Sequence, residues 1–160
     1  METEFLRAVH DYQKIIYKIC RVYRDRREDQ EDLFQEIVYQ LWKSFETFNE
    51  KSKLSTWIYR VSLNVAIYQL KKSKKRVITV PIDESAFKYH ADEEIDDEEK
   101  WTFFRQQIER LNLLDKGIVM LYLEDKSYEE IAEIIGMSTS NVGTRLNRIK
   151  DKLKQQTNKK

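Results

Sequence analysis

The chain has 160 residues and a mass of 19.4 kDa, which is enough for one ordinary domain or two small ones. With three glycines and one proline it is poorly suited to an all-β fold, which needs frequent turns, and to a glycine-rich phosphate-binding α/β fold. Its 29 basic and 28 acidic residues nearly balance, so net charge alone does not indicate a nucleic-acid partner.

The first half of the chain carries the apolar spacing of three helices. The first apolar stripe consists of Tyr12, Ile15, Ile16, Ile19, Cys20 and Tyr23. After a polar connection from Arg24 to Gln30, with Asp29 as the candidate N-cap, the second stripe consists of Leu33, Phe34, Ile37, Val38, Leu41, Trp42 and Phe45. The third follows the irregular segment 48–55 and consists of Trp57, Ile58, Val61, Val65 and Tyr68.

The N-terminus and the single cysteine indicate the cell compartment. Glu2 and Glu4 are acidic and no apolar stretch follows them, so no signal peptide is predicted, and no run approaches the roughly 20 apolar residues of a membrane helix. A lone Cys20 excludes an intramolecular disulfide and fits the reducing cytosol. Because Cys20 lies on an apolar stripe, we predict a small buried side chain rather than a nucleophile.

Charge is distributed in blocks along the chain. Residues 51–76 contain eight basic side chains and no acidic one, whereas residues 83–99 contain nine acidic side chains and a single lysine. From Gly143 to the end there are seven basic residues and one acidic residue. The pattern favours two separate electropositive surfaces joined by an acidic spacer, although solvated helix faces would give similar runs.

Helical spacing resumes after the acidic segment, first through Trp101, Phe104, Ile108 and Leu111 and then through Ile118, Leu121 and Tyr122. Two shorter segments, 128–135 and 138–153, finish the pattern. We therefore predict an all-α protein with two small helical domains, residues 1–76 and 101–160, joined by an acidic linker at 77–100.

The two last segments have the sequence of a helix-turn-helix. Ser127 and Glu130 have the spacing of a capping box, and Gly136 can adopt the positive φ that ends a helix. Ser138 can cap the following helix, and the small Ala132 permits close helix packing. In a DNA-binding helix-turn-helix, the second helix enters the major groove.

On that second helix, Val142, Leu146 and Ile149 form the predicted buried stripe. Donors and acceptors suited to phosphates and base edges are predicted to face away from it: Ser138, Thr139, Ser140, Asn141, Thr144, Arg145, Asn147 and Arg148. Gly143 weakens the helix by about 1 kcal/mol relative to alanine, which suggests that DNA or a partner approaches there. An ordinary helical hairpin with a polar face is the alternative.

Three blocks in order resemble the bacterial RNA polymerase sigma factors of the extracytoplasmic-function (ECF) class. They are DQEDLFQEIVYQLWKSFETF, STWIYRVSLNVAIYQLKKSKKR and, in the second domain, SYEEIAEIIGMSTSNVGTRLNRIKDKL. The resemblance implies docking on the clamp helices of core polymerase by Glu31, Asp32, Leu33, Gln35, Glu36 and Trp42. Buried packing is the expected alternative for part of that set, Leu33 included.

The resemblance also implies that the first domain holds the minus-ten element while it opens. The loop 49–55 would capture a flipped base, and the helix after it would melt and contact the promoter. The implied residues are Asn49, Lys51, Ser52, Lys53, Ser55, Thr56, Tyr59, Arg60, Asn64, Gln69, Lys71, Lys72, Lys74, Lys75 and Arg76. Trp57 lies on the apolar stripe and is expected in the core, whereas Tyr59 and Arg60 lie off it.

Together these features predict a sigma factor that binds core polymerase and promoter DNA, with the helix-turn-helix on the minus-thirty-five element. The acidic linker would pass near the RNA exit path; a plain solvated tether, or one that screens the basic surfaces, is the alternative. A stand-alone helix-turn-helix regulator is the second hypothesis. We predict no enzymatic activity, cofactor or metal, because no ligand cluster or nucleophile–base pair is visible. The resemblance leaves open whether an anti-sigma protein holds the factor inactive.

Overall fold

The computed structural model describes residues 2–48, 50–72 and 98–158. Within these ranges it contains eight α-helices, one short 3₁₀ helix and no strand, which confirms the predicted all-α fold. The chain divides into two compact units, one holding the described residues up to Lys72 and the other those from Glu98 onward. Of the predicted linker, residues 77–97 lie outside the described residues, and residues 98–100 belong to the first turn of a helix.

The N-terminal unit consists of α1 (Glu2–Asp11), α2 (Gln13–Tyr23), α3 (Arg27–Ser44), a 3₁₀ helix (Phe45–Thr47) and α4 (Leu54–Lys72). Helices α2, α3 and α4 pack against one another in all three pairs. Their shared core contains Ile16, Ile19, Phe34, Ile37, Leu41, Ile58 and Leu63, each at most 1% exposed. Cys20 is fully buried among them, and this burial raises the pKa of its thiol well above the ordinary value. The prediction that Cys20 is a small buried side chain is confirmed.

Helix α1 was not predicted, and an aromatic cluster explains why it forms. Its Phe5 is 2% exposed and packs edge-on against Trp42 and Phe45, with ring centroids 5.0 and 5.4 Å apart. Phe45 and Phe48 in turn lie 6.1 and 5.1 Å from Trp57 at the start of α4. A ten-residue helix is marginal in isolation, so contacts with distant aromatic residues supply its stability.

Helix α3 begins earlier than the sequence indicated, which corrects two predictions. Its N-cap is Arg26, with no side-chain cap, and Asp29 lies inside the first turn, where its charge favours the helix dipole. Gln30, predicted as part of an exposed connection, is 6% exposed. Its side-chain amide donates to the backbone carbonyl of Arg24 at 3.0 Å and thereby closes the tight turn between α2 and α3.

The C-terminal unit consists of α5 (Glu98–Ile108), α6 (Leu113–Leu123), α7 (Tyr128–Ile135) and α8 (Thr139–Asn158). Helix α8 is the centre of this unit, because α5, α6 and α7 all pack against it. The largest fully buried side chains are Ile118, Leu121, Ile131, Leu146 and Ile149. The predicted helical segments are confirmed, although α5 ends three residues before the buried Leu111 and α8 continues to Asn158.

Candidate nucleic-acid interface

Local side-chain chemistry builds the helix-turn-helix as predicted. The hydroxyl of Ser127 accepts the Glu130 backbone N–H at 3.1 Å, and the Glu130 carboxylate accepts the Ser127 N–H at 3.0 Å, which completes the capping box. Gly136 ends α7 at φ 85° and donates its N–H to the carbonyl of Ala132 at 2.8 Å. The hydroxyl of Ser138 accepts the Asn141 N–H at 3.1 Å and so caps α8.

The inner face of α8 is the buried stripe that the sequence indicated. Val142, Leu146 and Ile149 are 0%, 1% and 1% exposed, and Ile131 and Ala132 of α7 are buried opposite them. Hydrophobic packing therefore fixes which side of α8 faces solvent, because turning the helix would expose three large apolar side chains.

The outer face of α8 presents polar side chains to solvent. Seven of the eight predicted DNA contacts are exposed there: Ser138, Thr139, Ser140, Asn141, Thr144, Asn147 and Arg148. The hydroxyl of Thr144 donates to the carbonyl of Ser140 at 3.1 Å, so its oxygen keeps acceptor capacity. The helix N-terminus adds backbone N–H groups that suit a phosphate.

Arg145 departs from the prediction that it faces away from the core. Its guanidinium Nη1 lies 2.8 Å from Oδ1 of Asp115 in the first turn of α6. The side chains of Arg145 and Asp115 are only 32% and 11% exposed. The partner lies thirty residues earlier in the chain, so spacing within α8 could not indicate it.

Gly143 also has a neighbour in its own unit. A Cβ atom at this position would lie 3.5 Å from Cε2 and 3.7 Å from Cδ2 of the Tyr128 ring, which is ordinary van der Waals contact. The close approach that the sequence suggested for DNA or a partner is thus made by the first residue of α7.

The predicted minus-ten residues differ in how exposed they are. Exposed side chains are those of Lys51, Lys53, Arg60, Asn64, Lys71 and Lys72, and Ser52, Ser55 and Gln69 are half-buried. Thr56 and Tyr59 are 6% and 3% exposed, which corrects their assignment to an accessible DNA-contacting surface. Asn49, Lys74, Lys75 and Arg76 lie outside the described residues.

Tyr59 is buried because α4 packs against both α2 and α3. The buried face therefore includes Ile58, Tyr59 and Leu63 and is wider than a single apolar stripe. Trp57, expected in the core, is half-buried against the Phe48 ring at 5.1 Å. Arg60, one position beyond Tyr59, remains exposed as predicted.

The segment implied in polymerase docking is divided between surface and interior. Glu31 and Asp32 are exposed, Gln35 is half-buried, and Trp42 is 38% exposed. Desolvation, followed by the charges of neighbouring carboxylates, raises the pKa of Asp32. Leu33 is buried, as the alternative for this segment expected.

Glu36 corrects the docking prediction, because it is only 6% exposed. Its Oε1 accepts the side-chain amide of Gln40 at 3.1 Å, and no described residue hydrogen-bonds its buried Oε2. Both residues line a groove of about 530 Å³ together with Asn64, Val65, Tyr68, Gln69 and Lys72. Gln40 was not predicted at a surface site, and Tyr68, predicted on the apolar stripe of α4, is 56% exposed. The four-residue spacing of Asn64, Tyr68 and Lys72 on one helix face was the available signal.

The described part of the chain contains no group of three or more histidine, cysteine or acidic side chains placed to hold a metal ion. Among the described helices, none combines the length and apolar character needed to cross a bilayer.

Comparison with known proteins matches both units to one family. Residues 8–76 match sigma-70 region 2 and residues 104–153 match sigma-70 region 4. The chain is 32% identical to RNA polymerase sigma factor SigV of Bacillus subtilis over 142 residues, which cover 88% of this chain and 83% of SigV. It is 26% identical to the ECF RNA polymerase sigma factor SigW of the same bacterium over 179 aligned residues, covering 97% of this chain and 89% of SigW.

A solved structure has the same fold. The sigma factor RpoE from Bartonella quintana, in complex with the anti-sigma factor NepR, aligns with a TM-score of 0.68 at 18% identity over 95% of both chains. The two regions follow one another in the family's order, and the second unit contains a capped helix-turn-helix. The relatives also align over nearly the whole length of the chain, so all three findings indicate the same family. The chain belongs to the RNA polymerase sigma factors of the ECF class.

Proposed function

We propose that this sigma factor binds core RNA polymerase and directs it to promoters by using its two helical units on two DNA elements. The observation that carries the proposal is the outer face of α8, which is polar and exposed directly opposite a fully buried stripe within a capped helix-turn-helix. Such a helix can enter the major groove of duplex DNA without exposing its core.

On the upstream element, the residues of α8 divide by chemistry. Ser138, Thr139 and the first backbone amides of the helix suit phosphate oxygens, which fix the register of the helix on the duplex. Asn141 and Arg148 are exposed further along the same face, and their amide and guanidinium groups suit the edges of adenine and guanine. We assign base reading to these two residues.

On the minus-ten element, the N-terminal unit combines a loop with a basic helix. The exposed Lys51 and Lys53 lie in the loop, and the exposed Arg60 lies in the second turn of α4. Lys71 and Lys72 end that helix. We propose that these charges neutralise phosphates while the loop captures a base that has left the stack. The chain 77–97 would tether the two units, so that two modest contacts strengthen each other through effective concentration.

Polymerase docking is proposed for the exposed acids Glu31 and Asp32 and for Trp42, which lies about three turns further along α3. One relative is solved with an anti-sigma factor, and we propose the same class of inhibitor for this chain. Because core polymerase carries the active site for RNA synthesis, the chain acts as a non-catalytic initiation factor, and we propose that it works in the cytoplasm with the polymerase.

The test is transcription from fragmented genomic DNA by core polymerase with and without the protein. New start sites that share two spaced upstream boxes are expected. Arg148→Ala should reduce transcription from these starts about tenfold or more, since one base contact contributes about 1–3 kcal/mol. Lys154→Ala removes the same charge from an exposed position near the end of α8 and should have little effect.

The same assay separates the roles of the N-terminal unit. Arg60→Ala should slow promoter opening, measured by permanganate reactivity of unpaired thymines, whereas the exposed Lys14→Ala on α2 should not. Asp32→Asn should weaken capture of core polymerase, with the exposed Glu4→Gln as its control. If no new start sites appear with an active core, the initiation role is refuted and a polymerase-independent regulator becomes the better explanation.

A further inference from the structure

Arg145 stands among the base-reading residues of α8 but points into an ion pair. It follows Thr144 directly and lies one turn after Asn141, so its position alone would assign it to DNA. Its guanidinium instead lies 2.8 Å from the Asp115 carboxylate, with 32% of its side chain exposed. Its guanidinium is therefore engaged within the C-terminal unit.

The residue whose carboxylate pairs with Arg145 lies in a capped turn of α6. Asp115 is 8% exposed, and its backbone N–H donates to the side chain of Asn112, the N-cap of α6, at 2.8 Å. A carboxylate in the first turn of a helix is also favoured by the helix dipole. The backbone of Asp115 is therefore held within α6 independently of Arg145, and its carboxylate projects from a capped helix turn.

We propose that Arg145 is a positioning residue that links α8 to α6 and sets the angle at which the DNA-reading face is presented. The proposal rests on the proposed function of α8. The buried stripe fixes which side of α8 faces inward, and the ion pair adds a directional contact on its flank. Because the pair is largely shielded from solvent, salt screens it less than an exposed pair.

A positioning role and direct DNA contact lead to different energetic couplings. If Arg145 acts only through Asp115, removing either partner removes the same interaction, and the double variant loses no more than one single variant. If Arg145 leaves Asp115 to contact DNA, the arginine variant loses binding and the aspartate variant retains or gains it. A double-mutant cycle on DNA binding therefore separates the two.

The experiment uses the full chain bound to core polymerase. The probes are the upstream duplex recovered by selection from a random library and an unselected duplex of equal length. The measured quantity is the ratio of the two affinities for wild type, Arg145→Gln, Asp115→Asn and the double variant. We expect each single variant to lose about tenfold in this ratio and the double variant to lose no more.

Salt dependence supplies a readout that a loss of folding does not mimic. An arginine that neutralises a phosphate contributes about 0.9 to the slope of log affinity against log salt, so Arg145→Gln should leave this slope unchanged if Arg145 stays on Asp115. The proposal is overturned if Arg145→Gln lowers the salt slope. It is also overturned if Arg145→Gln loses the affinity ratio while Asp115→Asn keeps it. Arg145→Lys keeps the charge and should restore part of the ratio, which guards against a variant that merely unfolds.

Failure of the proposed function gives a different pattern. A wild-type holoenzyme that recovers no preferred duplex refutes sequence reading by α8, and the positioning role is refuted with it. A wild-type preference that all variants share refutes the positioning role alone.

Discussion

Gly143→Ala is expected to stabilise the C-terminal unit by about 1 kcal/mol. Glycine costs a helix interior about that much relative to alanine, because its backbone loses more freedom on folding. The new Cβ would meet the Tyr128 ring at 3.5 Å, a distance at which carbon atoms attract, and each such pair adds about 0.1–0.2 kcal/mol. No atom needs to move.

The assay is amide hydrogen exchange at Val142, Leu146 and Ile149, which are buried on the same helix as Gly143. A gain of about 1 kcal/mol slows exchange through global opening about fivefold. Gly136→Ala is the matched control: nothing lies within 4 Å of its Cβ, but φ is +85°, so alanine should destabilise the unit by about 1 kcal/mol.

Affinity for the upstream duplex should be unchanged in Gly143→Ala, since the added methyl group points at Tyr128. Faster exchange would show that the Tyr128 ring cannot accommodate the methyl group. If Gly143→Ala keeps its stability but loses DNA affinity, the expectation is also refuted, because DNA would then lie where the structure places the Tyr128 ring.

Three further outcomes test the burial of Tyr59, the capping box of α7 and the burial of Cys20. Tyr59→Ala should lower the free energy of unfolding by about 3 kcal/mol in urea titrations, whereas Arg60→Ala should change it by less than about 0.5 kcal/mol. Ser127→Ala should cost about 1 kcal/mol in the same titrations, and Ser127→Asp should recover most of it. Burial raises the pKa of the Cys20 thiol, so above about pH 8.5 the unfolded chain loses the thiol proton while the folded chain keeps it. The free energy of unfolding should therefore fall as pH rises, and Cys20→Ala should remove this part of its pH dependence.

The features that could be predicted from sequence are those whose chemistry is local. The capping box of Ser127 and Glu130, the positive φ of Gly136 and the Ser138 cap all depend on residues within three or four positions of one another. The buried stripe of α8 follows equally from helical spacing, because only one side of that helix meets its unit. These elements appear in the structure as the sequence indicated.

Several corrections involve partners that are distant in the chain. Tyr59 is buried because two other helices cover α4, and the pairing of Arg145 with Asp115 joins residues thirty positions apart. Helix α1 depends on Trp42 and Phe45 for the packing of its Phe5. No spacing rule within one helix reports such contacts, so the exposed face of α8 was predictable from spacing, while the burial of Tyr59 and the ion pair of Arg145 were not.

The ring contact between Phe48 and Trp57 has a consequence for the loop that it brackets. These two residues flank positions 49–56, and their rings pack 5.1 Å apart, so folding itself brings the two ends of this segment together. The entropy of loop closure is therefore lost before any ligand arrives. Base capture by this segment, as we propose it, would therefore not have to bring the two ends of the loop together.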